Sequence, residues 1–196
     1  MPRKPLTKTD IESFRDTFCE AAYELYVQND YDAVTMRGIA KVLECSPMMA
    51  YRYFENKEDV FSTLRAIRFD CLAQALEAVS DTQAPLQYLR SLAQAYAGFA
   101  HQHPHAYRLL YMIPIRQIKT SPDVVRAQQR TQNVLFDATR RAVDSGRIQG
   151  DPVLLAHTLW ASTHGLVSLD LSNQLNQGVT FEELFGSMLD YIIKGN

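Results

Sequence analysis

The chain has 196 residues and a mass of 22.3 kDa, with 46% hydrophobic and 21% charged residues. That composition excludes intrinsic disorder, and the length allows one mid-sized domain or two small ones. No apolar run approaches the ~18 residues of a membrane-spanning helix, and Met1 to Lys8 lacks the apolar stretch of a secretory signal. Cys19, Cys45 and Cys71 are an odd set at unremarkable spacings, which argues against a disulfide framework. The expectation is a cytoplasmic chain with reduced thiols and no membrane partner. Net charge is −2, and residues 1–60 carry 8 Lys/Arg against 11 Asp/Glu. Nucleic-acid binders usually show a basic patch, so any such role must rest on where individual charges sit.

Three- and four-residue apolar spacing predicts helices almost throughout, with glycines and prolines between them. The first runs from about Asp10 to Gln28, with Thr9 and Glu12 as a candidate capping box and Asn29 to Asp32 as its break. Thr35 is placed to cap a short helix from Met36 to about Leu43. Glu44-Cys45 forms a tight turn, and Ser46 caps another short helix whose first position is Pro47. Asn56 caps a longer helix from Lys57 to about Val79, with Glu58 and Asp59 favourable in its first turn. Helices follow at 85–101, from Pro104, at about 122–145 and at about 151–175. Pro114 to Pro122 is the longest irregular stretch. Gly178 and Thr180 precede a last amphipathic helix containing Phe181, Leu184, Phe185, Met188, Leu189 and Ile192.

Residues 35–54 have helix-turn-helix spacing, two short capped helices joined by about three residues. Ile39, Ala40 and Leu43 form the buried face, and the first long helix must cover the pair. On spacing alone, a DNA reader and a small helical knot inside a bundle are equally good readings. The stretch from Tyr31 to Phe61 resembles the DNA-binding signature of the tetracycline-repressor (TetR) family. Thr35, Ile39, Ala40, Ser46, Tyr51, Tyr53, Phe54, Lys57 and Glu58 carry the resemblance. It implies that Thr35, Arg37, Ser46, Pro47, Met48, Met49, Tyr51, Arg52, Tyr53 and Lys57 face an operator. Two positions depart from the pattern: Glu44 stands where the turn usually has glycine, and Pro47-Met48-Met49 is a less polar helix start than usual. The methionines offer no hydrogen bond to a base edge, so readout there rests on thymine methyl contact and shape.

Trp160 to Gly165, including His164, together with His103 to Leu110, is similar to a C-terminal domain of the same family named for its Trp, His and Gly positions. The two resemblances imply an all-α protein with a three-helix DNA-binding domain at 1–56 and a helical ligand-binding and dimerisation bundle at 57–196. They also imply a homodimer on an inverted-repeat operator and a small-molecule effector of unknown identity. Pairing is expected through 122–145 and 151–175, with Leu135, Val143, Leu155, Leu159, Leu166 and Leu169 in contact and Gly165 allowing close approach. Tyr107, Tyr111, Trp160 and His164 are the expected effector contacts, and the helix from Lys57 the expected coupling element.

Other constellations read more plainly. His101, His103 and His105 lie between two helices without a cysteine or carboxylate cluster, which fits a capping loop better than a metal site. Cys45 reads as an inert thiol. No phosphate loop, nucleophile elbow or zinc motif occurs, so no catalytic residue, metal or cofactor is expected. The reading is a DNA-binding repressor released by its ligand. The alternative is a helical protein-interaction module whose helix-turn-helix is architecture only.

Overall fold

The computed structural model describes residues 7–114, 118, 120–176 and 178–194, without the side chains of Lys8 and Lys194. Readings that concern Met1 to Leu6, and positions 115–117 and 119 of the irregular stretch, fall outside the described residues. Among the described residues are nine helices: α1 Lys8–Ala33, α2 Met36–Val42, α3 Pro47–Ala50, α4 Lys57–Glu77, α5 Pro85–Gln102, α6 Pro104–Tyr111, α7 Pro122–Asp144, α8 Pro152–Leu171 and α9 Phe181–Lys194.

Local capping chemistry explains most of these limits. The α1 box is Thr7 with Asp10 rather than Thr9 with Glu12. The Thr7 hydroxyl accepts the Asp10 N–H at 3.2 Å, and the Asp10 carboxylate accepts the Thr7 N–H at 2.9 Å. The same three-residue spacing recurs two positions earlier, where the chain is still extended. At the expected break, Asp30 adopts φ 66° and its carboxylate takes the Tyr31 N–H at 2.8 Å, after which helix resumes to Ala33. Asn56 accepts the Asp59 N–H at 2.9 Å, and Thr180 with Glu183 makes a reciprocal box before α9. Helix α8 ends at Leu171, several residues short of the expected 175. Asn173 takes the left-handed conformation (φ 54°), and the Gln174 N–H returns to the Leu169 carbonyl at 2.8 Å, which closes the helix.

The chain divides into two compact units, residues up to Ile67 with Arg108–Arg126, and Arg68–Tyr107 with Ala127 onward. Helices α4, α6 and α7 each contribute to both. The core of the first unit is aromatic: Phe18, Tyr26, Phe54 and Phe61 pack with Ile39, Leu64, Leu109 and Ile118, all fully buried or nearly so. Arg65, 3% exposed, donates to the carbonyls of Leu109 (3.0 Å) and Ile113 (2.8 Å) and thereby satisfies the end of α6. In the second unit Leu72, Leu89, Tyr107, Val167 and Leu189 are buried. Arg130 of α7 ties Asp70 and Glu77 of α4 together, with contacts of 2.5–2.8 Å.

The turn between α2 and α3 contains a locally costly conformation. Glu44 sits at φ 50°, while the Cys45 N–H reaches back to the Ala40 carbonyl at 3.0 Å. A side chain in the left-handed region costs about 1–2 kcal/mol, a cost that glycine avoids. Part of that gain is lost to glycine's greater freedom in the unfolded chain. Glu44→Gly is therefore expected to raise stability by about 1 kcal/mol, read as a higher urea midpoint with unchanged slope; a lower midpoint would contradict the assignment.

Candidate nucleic-acid interface and ligand cavity

In the first unit, α2 and α3 are held by caps and by the core beneath them. Thr35 accepts the Gly38 N–H at 3.0 Å and Ser46 the Met49 N–H at 3.3 Å. Ala50 and Phe54 are buried, with the Phe54 ring stacked 5.3 Å from Phe18. Arg15 of α1 closes the far side of α3. Its guanidinium donates to the Tyr53 carbonyl and to the Thr63 hydroxyl (3.2 Å) and lies 4.1 Å over the Phe54 ring. Nothing in the spacing of Arg15 singled it out, because its partners lie 38 and 48 residues away.

Of the residues expected to face an operator, Thr35, Arg37, Ser46, Pro47, Met48, Tyr51 and Arg52 are exposed, Met48 at 79%. Met49 is half-buried, as is Tyr53, whose ring lies 4.3 Å from Phe14. Lys57 is also half-buried: its ammonium donates to the Tyr31 carbonyl at 3.1 Å and sits 4.0 Å above the Tyr31 ring. It thus braces α4 against the end of α1. The acidic balance of the N-terminal sixty residues also resolves by position. Residues 35–54 hold three cations, Arg37, Lys41 and Arg52, against the single acid Glu44, and the remaining acids lie in α1, at Glu55 and at the start of α4. Arg37, Lys41 and Arg52 are all exposed.

In the second unit, buried Tyr107 and half-buried His164 come together as a polar cluster. The Tyr107 hydroxyl lies 2.5 Å from His164 Nδ1, and the Tyr96 hydroxyl lies 3.2 Å from the same nitrogen and 3.4 Å from Tyr107. With Tyr107 as donor, Nδ1 is the acceptor and the ring is neutral. Burial depresses the His164 pKa and raises that of Tyr107, so both keep their uncharged forms. Trp160 is on the wall of a narrow cavity of about 30 Å³. The cavity lies between Leu76 of α4, Leu92, Ala93 and Tyr96 of α5, Leu135 of α7, and Leu159, Trp160 and Thr163 of α8. Tyr111, the fourth expected contact, belongs to the first unit. Tyr96 and Thr163 were not among the expected contacts. One buried tyrosine in a run of aromatics carries no mark in sequence, and Thr163 is a small polar residue in an apolar helix.

The histidines and cysteines have local explanations. His103 caps α5, its N–H bonded to the Phe99 carbonyl at 2.9 Å, and His101 Nε2 lies 2.8 Å from the Asp170 carboxylate. Burial pushes the Cys19 thiol up to about 12, where it is inert. For His164 the sign of the pH dependence follows from its depressed pKa. Below the ordinary histidine value near 6.5 the unfolded chain takes up a proton that the folded chain does not. Stability is therefore expected to fall as pH drops from 7 toward 5, and this component should vanish in His164→Asn. Urea midpoints across that range check it, and an equal slope in the variant would contradict it.

Comparisons with known proteins agree with this architecture. Residues 18–64 match the family described as "Bacterial regulatory proteins, tetR family", and residues 89–192, more than half the chain, match "Tetracyclin repressor-like, C-terminal domain". An uncharacterised HTH-type transcriptional regulator of Mycobacterium tuberculosis is 21% identical over 83% of this chain and 72% of its own. A protein of unknown function from Rhodococcus sp. RHA1 superposes with a TM-score of 0.80 at 21% identity, covering 100% of this chain and 98% of that one. The regulator FadR from Bacillus subtilis, solved in complex with stearoyl-CoA, superposes at 0.73 with 18% identity over 92% and 98% of the two chains. With a helix-turn-helix held by its own aromatic core and both family regions in place, the chain belongs to the tetracycline-repressor family and is a DNA-binding transcriptional regulator.

Proposed function

We propose that this regulator is a cytoplasmic homodimeric repressor that binds an inverted-repeat operator through α2 and α3 and releases it when a small molecule enters the second unit. The observation that carries the DNA-reading part is the three exposed cations Arg37, Lys41 and Arg52 on a helix-turn-helix backed by Arg15 and Phe18. Regulators of this family bind DNA operators, dimerise and bind small-molecule ligands. Residues 1–56 carry the DNA contacts and residues 57–196 the pairing and sensing, with Trp160, Tyr107 and His164 on the sensing side. No residue is given a catalytic role. The uncharged Met48, 79% exposed at the start of α3, favours thymine methyl contact over polar readout.

For dimerisation the outward face of α8 is the supported surface. Leu154 is 69% and Leu169 44% exposed, and Ala161 and His157 are exposed between them. A Cβ on Gly165 would meet nothing within 4 Å of its own protomer, which leaves room for a partner helix. Leu159 and Leu166 are spent inside the protomer core, 3% and 9% exposed, because the helix repeat sets both roughly a third of a turn or more around α8 from Leu154. The outward residues of α7 include Asp137, Arg140, Arg141 and Asp144, which makes α7 the less apolar of the two helices. A two-fold dimer on an inverted repeat needs its recognition helices on successive major grooves, about 34–36 Å apart.

Gel shifts with DNA from upstream of the chain's own gene, over a range of salt, test the reading. Arg52→Ala is expected to weaken binding across all sequences and to lower the log–log salt slope by about 1. Leu154→Glu is expected to sediment as a 22.3 kDa monomer and lose the operator. Unchanged binding and slope in the first variant, together with operator binding by a monomeric second, would contradict it and favour the interaction-module alternative.

A further inference from the structure

We infer that the cavity walled by Trp160 and Thr163 takes a neutral, mainly apolar ligand whose one polar group, a hydroxyl or carbonyl, pairs with the Thr163 hydroxyl. The inference rests on the sensing role proposed above and names the ligand class. Two observations converge on it. The wall residues Leu76, Leu92, Leu135 and Leu159 are aliphatic and Trp160 aromatic, and no charged side chain lines the cavity among the described residues. A charged ligand would lose its hydration there without a counter-ion, which is strongly unfavourable.

Thr163 is the second observation. It is 2% exposed, it lines the cavity, and its Oγ1 makes no hydrogen bond to a protein group. A threonine inside a helix ordinarily returns its hydroxyl to the carbonyl four residues earlier, as Thr158 does to Leu154 at 2.8 Å. The other wall hydroxyl, that of Tyr96, is engaged with His164 and Tyr107. Thr163 Oγ1 is covered, so it is the unpartnered wall hydroxyl that a guest displacing the wall side chains would meet. A buried polar group without a protein partner is what makes such a site selective. The cavity has room for about two waters, so a larger guest must displace wall side chains. Half-buried Trp160 is the wall residue with a route to move.

Trp160 is also the sole tryptophan of the chain, so its emission reports on the cavity directly. The test titrates the full-length protein with 1-hexanol, 2-hexanone, 1-chlorohexane, hexanoate and hexylammonium. The expected result is saturable change with the neutral probes and at least roughly tenfold weaker binding of the two charged ones. Thr163→Val is expected to weaken 1-hexanol about three- to tenfold, the loss of one net hydrogen bond. The same variant should leave 1-chlorohexane unchanged, which separates the contact from general damage to the fold. Charged probes that bind as tightly as neutral ones would overturn the proposal. So would a valine variant that binds 1-hexanol normally, one that loses 1-chlorohexane equally, or no saturable response to any probe. Operator binding measured without probe stands apart from these outcomes. A protein that binds its operator but ignores every probe contradicts the ligand class alone. One whose cavity fills with no change in operator affinity contradicts the sensing role.

Discussion

A helix of four residues cannot hold its own shape, and α3 is such a helix. What α3 presents to solvent therefore depends on what lies beneath Pro47–Ala50. The anchor is Phe54, buried against Phe18, with the Arg15 guanidinium over its ring and bonded to the Tyr53 carbonyl. Arginine suits this position because its planar head can stack on a ring and donate hydrogen bonds at the same time. Met48 of α3, and Tyr51 and Arg52 just after it, face solvent, where the proposed operator contacts would need them.

The same division of labour governs charge. Arg15, Lys57 and Arg65 are cations of the first unit turned inward, onto carbonyls or rings. Arg37, Lys41 and Arg52 face solvent. Counting charges along the sequence mixes the two groups, and the resulting local negative balance hides a positive helix-turn-helix. In the second unit the buried polar groups follow one rule as well. Tyr96, Tyr107 and His164 satisfy one another in uncharged form, which keeps a low-dielectric interior compatible with a neutral guest.

What could be read from the sequence was what is decided within one turn of chain. The caps Thr35, Ser46 and Asn56, the prolines opening α3, α5, α6, α7 and α8, and the turn at Glu44 all act over three or four residues. Where two local signals competed, as with Thr7 and Thr9, spacing could not choose between them. The inward or outward sense of long-range partners lay beyond it too. Arg15 and Thr163 became visible once the chain was folded. Leu159 and Leu154 were told apart only by which side of α8 meets α5 and α9. Lys57 shows the limit most clearly: the residue matches the family pattern, yet its ammonium lies on Tyr31.

Helix α3 is held by the α1–Phe54 anchor and not by itself. Native-state hydrogen exchange at the Tyr53 and Phe54 amides, both bonded to the Ala50 carbonyl, tests it most directly. The anchor predicts that these amides open only with the core of the first unit, at the same free energy as the buried turns of α1 around Phe18 and Ala22. Exchange of the two amides by local fraying, well below that energy and unaffected by Arg15→Met, would contradict it.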